Sequence, residues 1–216
     1  MKRLAGLIIP LTLILATGCG HEVDARSGGL SGGRQVSADY PSYESMDQLV
    51  AASDTTAIAR IGEIATREID DGGTGIAEAG VPMIFYHATL IESLEGPARE
   101  KQIIVGWPDL DKMPIEGRSS LDDGDMVVLF AQVLTPRDAP GIDTQREFYV
   151  PVGGDGGVMD VTGDTAVARS PIVRGTGTGV DTSSDPNGHL KISLTDLRAA
   201  VATLSNRPAS PSGAMD

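Results

Sequence analysis

Residues Met83 to Leu94, MIFYHATLIESL, decide the fold class. Ile84, Tyr86, Ala88 and Leu90 alternate with Phe85, His87, Thr89 and Ile91, and a period of two over this length describes a half-buried strand rather than a helix. Downstream, Gly96-Pro97 turns the chain and KQIIVG (101–106) returns it. The polar stretch Pro108 to Gly124 then leads into MVVLFAQVL (126–134), the most apolar strand. Glu147–Val152, Gly157–Val161 and Thr165–Ala168 follow, the last two joined by a hairpin turn at Thr162-Gly163-Asp164. Upstream, the acidic, Gly-rich segment Asp70–Gly80 reads as a loop, and AIARIGEI (57–64) as a strand-like mix without strict alternation. Short strands separated by Gly- and Pro-rich turns predict a mainly β (α+β) domain, a small antiparallel β-barrel or sandwich.

A helix is expected at each end of this β region. Ser45-Met46-Asp47-Gln48 fits the capping box S-x-x-Q, and Met46, Leu49 and Val50 fall on one face before Asp54 and Thr55-Thr56 end the helix. At the other end HLKIS (189–193) is strand-like and precedes a C-terminal helix capped by Thr195, with Leu197, Ala200, Val201 and Leu204 on one face.

The chain opens MKRLAGLIIPLTLILATGCG. Lys2 and Arg3 precede an apolar run, Leu4–Ala16, that is shorter than the roughly 20 residues a settled membrane span needs. It has the size of a signal-peptide core and is excluded from the fold. The run closes on Ala16-Thr17-Gly18-Cys19, which resembles the lipobox of bacterial prolipoproteins, with Ala16 in place of the usual Leu. The resemblance implies cleavage before Cys19 and its acylation, hence a chain lipid-anchored to the cell membrane on the extracytoplasmic face. Cys19 is the only cysteine, so no internal disulfide is available to an exported chain, and a free thiol there would be prone to oxidation. Each buried CH₂ of an acyl chain contributes about 0.8 kcal/mol, so more than one chain anchors firmly.

The expected organisation is therefore a signal peptide (1–18), a lipidated Cys with a flexible tether (19–41) reaching roughly 25 Å, and a β-rich domain (42–173). A flexible insert (174–188), the C-terminal strand and helix (189–207) and a disordered tail (208–216) complete it.

Loss of Lys2 and Arg3 leaves 15 Lys and Arg against 30 Asp and Glu. This balance argues against nucleic acid as a partner and against a second, polybasic attachment to anionic lipid. Solubility and self-repulsion, which keep a chain monomeric, are the simpler reading of the acidic balance, with recognition of a cationic ligand as the competing one. With three Phe, four Tyr and one Trp, the core must be mainly aliphatic.

No catalytic constellation is legible. Of the three histidines, His21 lies in the tether, His189 beside the insert and only His87 in a strand, and no G-x-S-x-G occurs. H-E-x-x-H, H-x-H and paired cysteines are missing, which speaks against zinc. A weak calcium loop is traced by Asp185, Asn187, Ser193 and Asp196 at loop positions 1, 3, 9 and 12. His189 there replaces an oxygen ligand and Leu190 stands where the turn needs Gly, so a polar linker leading into a strand is the simpler reading. Otherwise no cofactor is expected. The Asp-rich turns (Asp70-Asp71, Asp109 and Asp111, Asp122-Asp123 with Asp125, Asp155) read as solvated, and Gly153–Gly157 as a β-turn. Trp107, the one large aromatic beside a loop, is the candidate ligand contact, with partial core burial as the competing reading.

Ala52-Ser53-Asp54 ending a capped helix, Ser93-Leu94-Glu95-Gly96, and the Gly124-Asp125 turn into Val127–Phe130 resemble a pattern in exported actinobacterial proteins of unassigned function. The layout of roughly residues 42–170 is also similar to the netrin-module/OB-type barrel, without the netrin cysteines. The resemblance implies an OB-like fold and little about activity. Together these readings point to a non-catalytic surface module that binds a protein or wall ligand. The alternative is a carboxylate-dependent hydrolase of cell-wall polymers. Protease inhibition of the netrin type ranks last, because an acylated Cys19 would be remote from any target metal.

Overall fold

The computed structural model describes residues 41–75, 80–96, 101–115, 118–142, 146–171, 173, 175 and 182–206. The expected signal peptide, Cys19, the tether up to residue 40, much of the 174–188 insert and the tail lie outside the described residues.

The described chain is mainly β with two helices. In order it runs α1 (Met46–Ala52), β1 (Thr55–Asp70), β2 (Val81–Glu95), β3 (Gln102–Pro108), β4 (Met126–Leu134) and β5 (Phe148–Pro151). It continues with β6 (Val158–Thr162), β7 (Thr165–Ala168), β8 (Ser183–Ser184), β9 (Leu190–Ser193) and α2 (Leu194–Ser205). The strands form one sheet in the order β1-β2-β3-β5-β4-β6-β7-β9-β8, and β1 also pairs with β4. Those pairings join β1, β2, β3, β5 and β4 in a closed ring. The expected all-antiparallel arrangement needs one correction: β3 and β5 run parallel, meeting at Val105 and Tyr149. The long crossover between them makes that direction available.

β1 explains why its sequence does not alternate. Thr56–Arg60 pair with both β2 and β4, which occupies both edges of that stretch, and its consecutive residues Thr55–Ala59 are buried on both faces. Ile58 packs toward the helices while Ala59 and Ile61 point into the ring. Register shifts between Ile61 and Thr66 then bend the strand, as bulges do, and its second half pairs with β2 alone.

Three apolar clusters follow from strand periodicity. Ala59, Ile84, Ala88, Val105, Val127 and Leu129 fill the ring. The opposite faces of β1 and β4, through Ile58, Val128 and Phe130, pack with Met159, Leu49 and Leu197 beneath the two helices. The third cluster lies outside β2 and β5, where Phe85 and Phe148 meet edge-to-face at 5.3 Å between centroids, covered by Ala139 and Ile142 of the β4–β5 connection. Gly106 lets the rings approach, because a Cβ there would sit 3.0 Å from the Phe85 ring and push it aside.

Both helix caps differ from expectation. The Ser45 hydroxyl engages the Asp47 carboxylate instead of the helix backbone, while Gln48 Oε1 accepts the Glu44 N–H at 2.8 Å. α2 is capped by Ser193 rather than Thr195: Ser193 Oγ accepts the Asp196 N–H at 3.0 Å and donates to its carboxylate at 2.7 Å. Among the described residues no helix is long and apolar enough to cross a membrane.

Candidate functional site

At one end of the ring the chain between β3 and β4 folds back, and a cleft of about 450 Å³ separates it from β1 and β2. Ile84, Trp107 and Leu121, all buried, form the apolar part of its lining. Trp107 is only 2% exposed, and its indole N–H donates to the Ser119 carbonyl at 3.1 Å. Its contribution to the cleft is therefore part of a wall, with the body of the indole in the core.

The polar lining converges from distant parts of the sequence. The second half of β1 carries Arg67, whose Nη1 reaches Asp109 and Nη2 reaches Asp111, both at 3.1 Å. Asp109 is 2% exposed and its second oxygen accepts the Asp111 N–H at 3.2 Å. Glu63, Asp122 and Asp123 also line the cleft. Tyr86, on β2, is 8% exposed, and its hydroxyl has no hydrogen-bond partner among the described residues although it is not sealed from solvent. Burial is the main reason its phenol is held above the usual tyrosine range, with Asp122 acting in the same direction and Arg67 opposing. The phenol therefore stays protonated at neutral pH, able to donate or accept.

Behind the cleft wall a second polar set anchors the 118–125 segment. Asp155 lies in a 3₁₀ turn, Gly154–Gly157, where the sequence suggested a simple β-turn. Like Asp109 it is not solvated: it is 8% exposed and accepts from Ser119 Oγ at 3.0 Å and Ser119 N–H at 3.3 Å. Desolvation raises its carboxyl above the ordinary carboxylate range despite the Ser119 hydrogen bond and Arg118. Arg118 stacks on Trp107 at 5.3 Å and lies against Gly154, where a Cβ would overlap its guanidinium. Arg169, its side chain 7% exposed, bonds the Ser120 carbonyl at 2.6 Å, Asp160 at 2.7 Å and Asp125 at 3.2 Å.

The other sequence candidates are dispersed. Asp185 closes a turn by accepting the Asn187 and His189 N–H groups at 2.9 and 2.8 Å, whereas Ser193 and Asp196 cap α2. Backbone bonding to His189 is the largest cause of the lowered Asp185 carboxyl. No group of three or more His, Cys, Asp or Glu among the described residues is placed to hold a metal. His87 is exposed on the outer face of β2, beside a second groove it shares with Gln102, Ile104, Arg146, Glu147 and Tyr149. His189 Nδ1 meets the Ala168 carbonyl at 2.7 Å.

No family model matches this sequence, and no curated protein is similar to it.

Proposed function

We propose that this chain is a non-catalytic binding module, lipid-anchored through Cys19 at the extracytoplasmic face of the cell membrane, with the Tyr86–Asp109 cleft as its ligand seat. The cleft carries the reading. It combines an apolar lining with a few convergent polar groups, the usual composition of a small-ligand site, and includes a largely buried tyrosine whose hydroxyl has no partner among the described residues. The five-stranded ring with its crossover from β3 to β5 supports an OB-type barrel, a fold that commonly serves as a binding scaffold. Ala16-Thr17-Gly18-Cys19 supports the anchor, and a protein or wall ligand fits a module held at the surface as a monomer.

A carboxylate-dependent hydrolase would need two carboxyls flanking one bond. Asp109 is held by Arg67, and Asp155 is turned to Ser119 outside the cleft lining. The binding reading accommodates both.

Amide spectra of the full chain in detergent, recorded against a set of small neutral and charged fragments, test the seat. Shifts should gather on Tyr86, Trp107 and 120–123. Hits confined to the groove beside His87 would show the seat to be elsewhere. Palmitate labelling in a bacterial host tests the anchor: Cys19→Ser should abolish the label and release the protein from membranes, and retained label would refute acylation at Cys19.

A further inference from the structure

Deepening the binding reading above, and resting on it, we propose that the cleft selects an organic cation, an ammonium or guanidinium group carried on an apolar stem. Two independent observations meet here. The first is charge. Among the described residues five acids line the cleft (Glu63, Asp109, Asp111, Asp122 and Asp123) and one cation, Arg67. Asp109 and Asp111 both engage that guanidinium, so its charge is already answered. Asp122 accepts only from the Ser120 hydroxyl, at 3.3 Å, and neither Glu63 nor Asp123 has a partner among the described residues. Glu63, Asp122 and Asp123, all exposed, thus line the cleft without a basic partner among the described residues.

The second observation is Tyr86. The residue is more than nine-tenths buried and lines the same cleft, and its hydroxyl, open to solvent there, has no hydrogen-bond partner among the described residues and is free to bind a ligand group. The acidic groups that raise its phenol are Asp122, Asp109 and Asp111, so the ring lies within the field of these carboxylates. An N–H donor bound there would find the phenol oxygen as acceptor and Asp122 as counter-charge.

The remaining lining decides what the charge is attached to. Ile64, half exposed at the rim, together with Leu110, Ile84 and Leu121, offers an apolar path into the cleft. A stem of several CH₂ groups can lie along it while the charged end reaches the carboxylates, as long basic side chains do elsewhere. A bare metal ion fits less well, since no group of three acidic, His or Cys side chains among the described residues is placed to chelate one. Lys- and Arg-bearing peptides and free alkylamines share the required chemistry.

The test titrates the full chain in detergent, followed by amide shifts, with n-hexylammonium, n-hexanol and hexanoate. The proposal predicts saturable shifts at Tyr86 and 120–123, with hexylammonium binding at least tenfold more tightly than the alcohol or the acid. Binding should weaken several-fold as ionic strength rises from about 0.05 to about 0.5 M. Tyr86→Phe should lower affinity about tenfold, and Asp122→Asn with Asp123→Asn by a similar factor. Equal binding of hexanol, or a preference for hexanoate, overturns the cation assignment while leaving the cleft a binding seat. If none of the three shifts cleft amides while neutral fragments do, the cation assignment alone falls; if nothing binds there, the seat falls with it. A further arm compares the peptide acetyl-Ala-Lys-Ala-amide with its Nε-acetylated form and with hexylammonium. Tighter binding of the lysine peptide assigns the cation to a polypeptide, and equal binding of hexylammonium assigns it to a free amine. Binding of the Nε-acetylated peptide as tight as that of the lysine peptide overturns the proposal.

Discussion

The helix-covered side of the molecule and the cleft end of the ring are built from opposite materials. Under α1 and α2 the contacts are aliphatic and aromatic, with Met46, Leu49, Phe130, Met159, Leu197 and Val201 all at or near zero exposure. At the cleft end the chain between β3 and β4 is held by the exposed Arg67 and by the buried groups of Arg169, Asp109 and Asp155, each committed to partners distant in sequence. Apolar burial is non-directional and scales with area, so the first side is a stability element. Hydrogen-bonded charges are directional, so the second fixes the shape of a surface at little net gain in stability.

Substitutions in the two regions should therefore separate stability from recognition. The largest effect is expected at Phe130→Ala, which empties the helix-covered core and should cost about 3–5 kcal/mol in urea unfolding. Fragment shifts at the cleft should survive wherever the variant remains folded. Arg169→Ala comes next. It leaves the Ser120 carbonyl and the Asp160 carboxylate without the Arg169 donor and should cost about 2 kcal/mol. It should also raise amide exchange across 119–125, a result Phe130→Ala should not reproduce selectively.

Legibility in the sequence divides along the same line. The strands at 83–94 and 126–134, the hairpin at Gly163-Asp164 and the apolar face of α2 are readable because each carries a local signature: alternation, an unbroken apolar run, turn residues and a helical period. β1 resists because its first residues are buried on both faces and it is bulged in the middle. The parallel β3–β5 contact depends on tertiary closure and has no local signature. The cleft was least legible. Trp107 was singled out for its loop neighbour, yet the loop folds over it, and the residues that shape the site, Arg67, Tyr86, Arg118, Asp155 and Arg169, carry no spacing that announces them. Asp109 and Asp155 looked like ordinary turn acids, since only the fold reveals the Arg67 and Ser119 groups that make their burial tolerable.

Smaller effects sharpen the contrast through pH. The Asp155 carboxyl is raised by burial, so the folded state favours its protonated form. Its contribution is then fully present below the unfolded carboxyl range, near pH 3.9, and falls as pH rises from there through the folded value. Asp155→Asn, which can keep both contacts to Ser119, should gain stability relative to the parent as pH increases over that window. Unfolding midpoints measured from pH 3 upward check this, and a difference independent of pH would contradict it. Glu92 has the opposite sign: its hydrogen bond from Arg198 lowers the carboxyl, so the contribution is present above the ordinary glutamate range and lost as pH falls through the folded value. Both partners are substantially exposed, and Glu92→Gln should cost less than about 1 kcal/mol at neutral pH.

The most direct measurement titrates n-hexylammonium into the parent and Tyr86→Phe chains and compares their urea midpoints. An affinity lowered about tenfold with the midpoint nearly unchanged is predicted, which would make Tyr86 a recognition group in a cleft whose fold is secured elsewhere. Equal affinity in the two chains, or a loss of binding that merely follows a loss of stability, would contradict it.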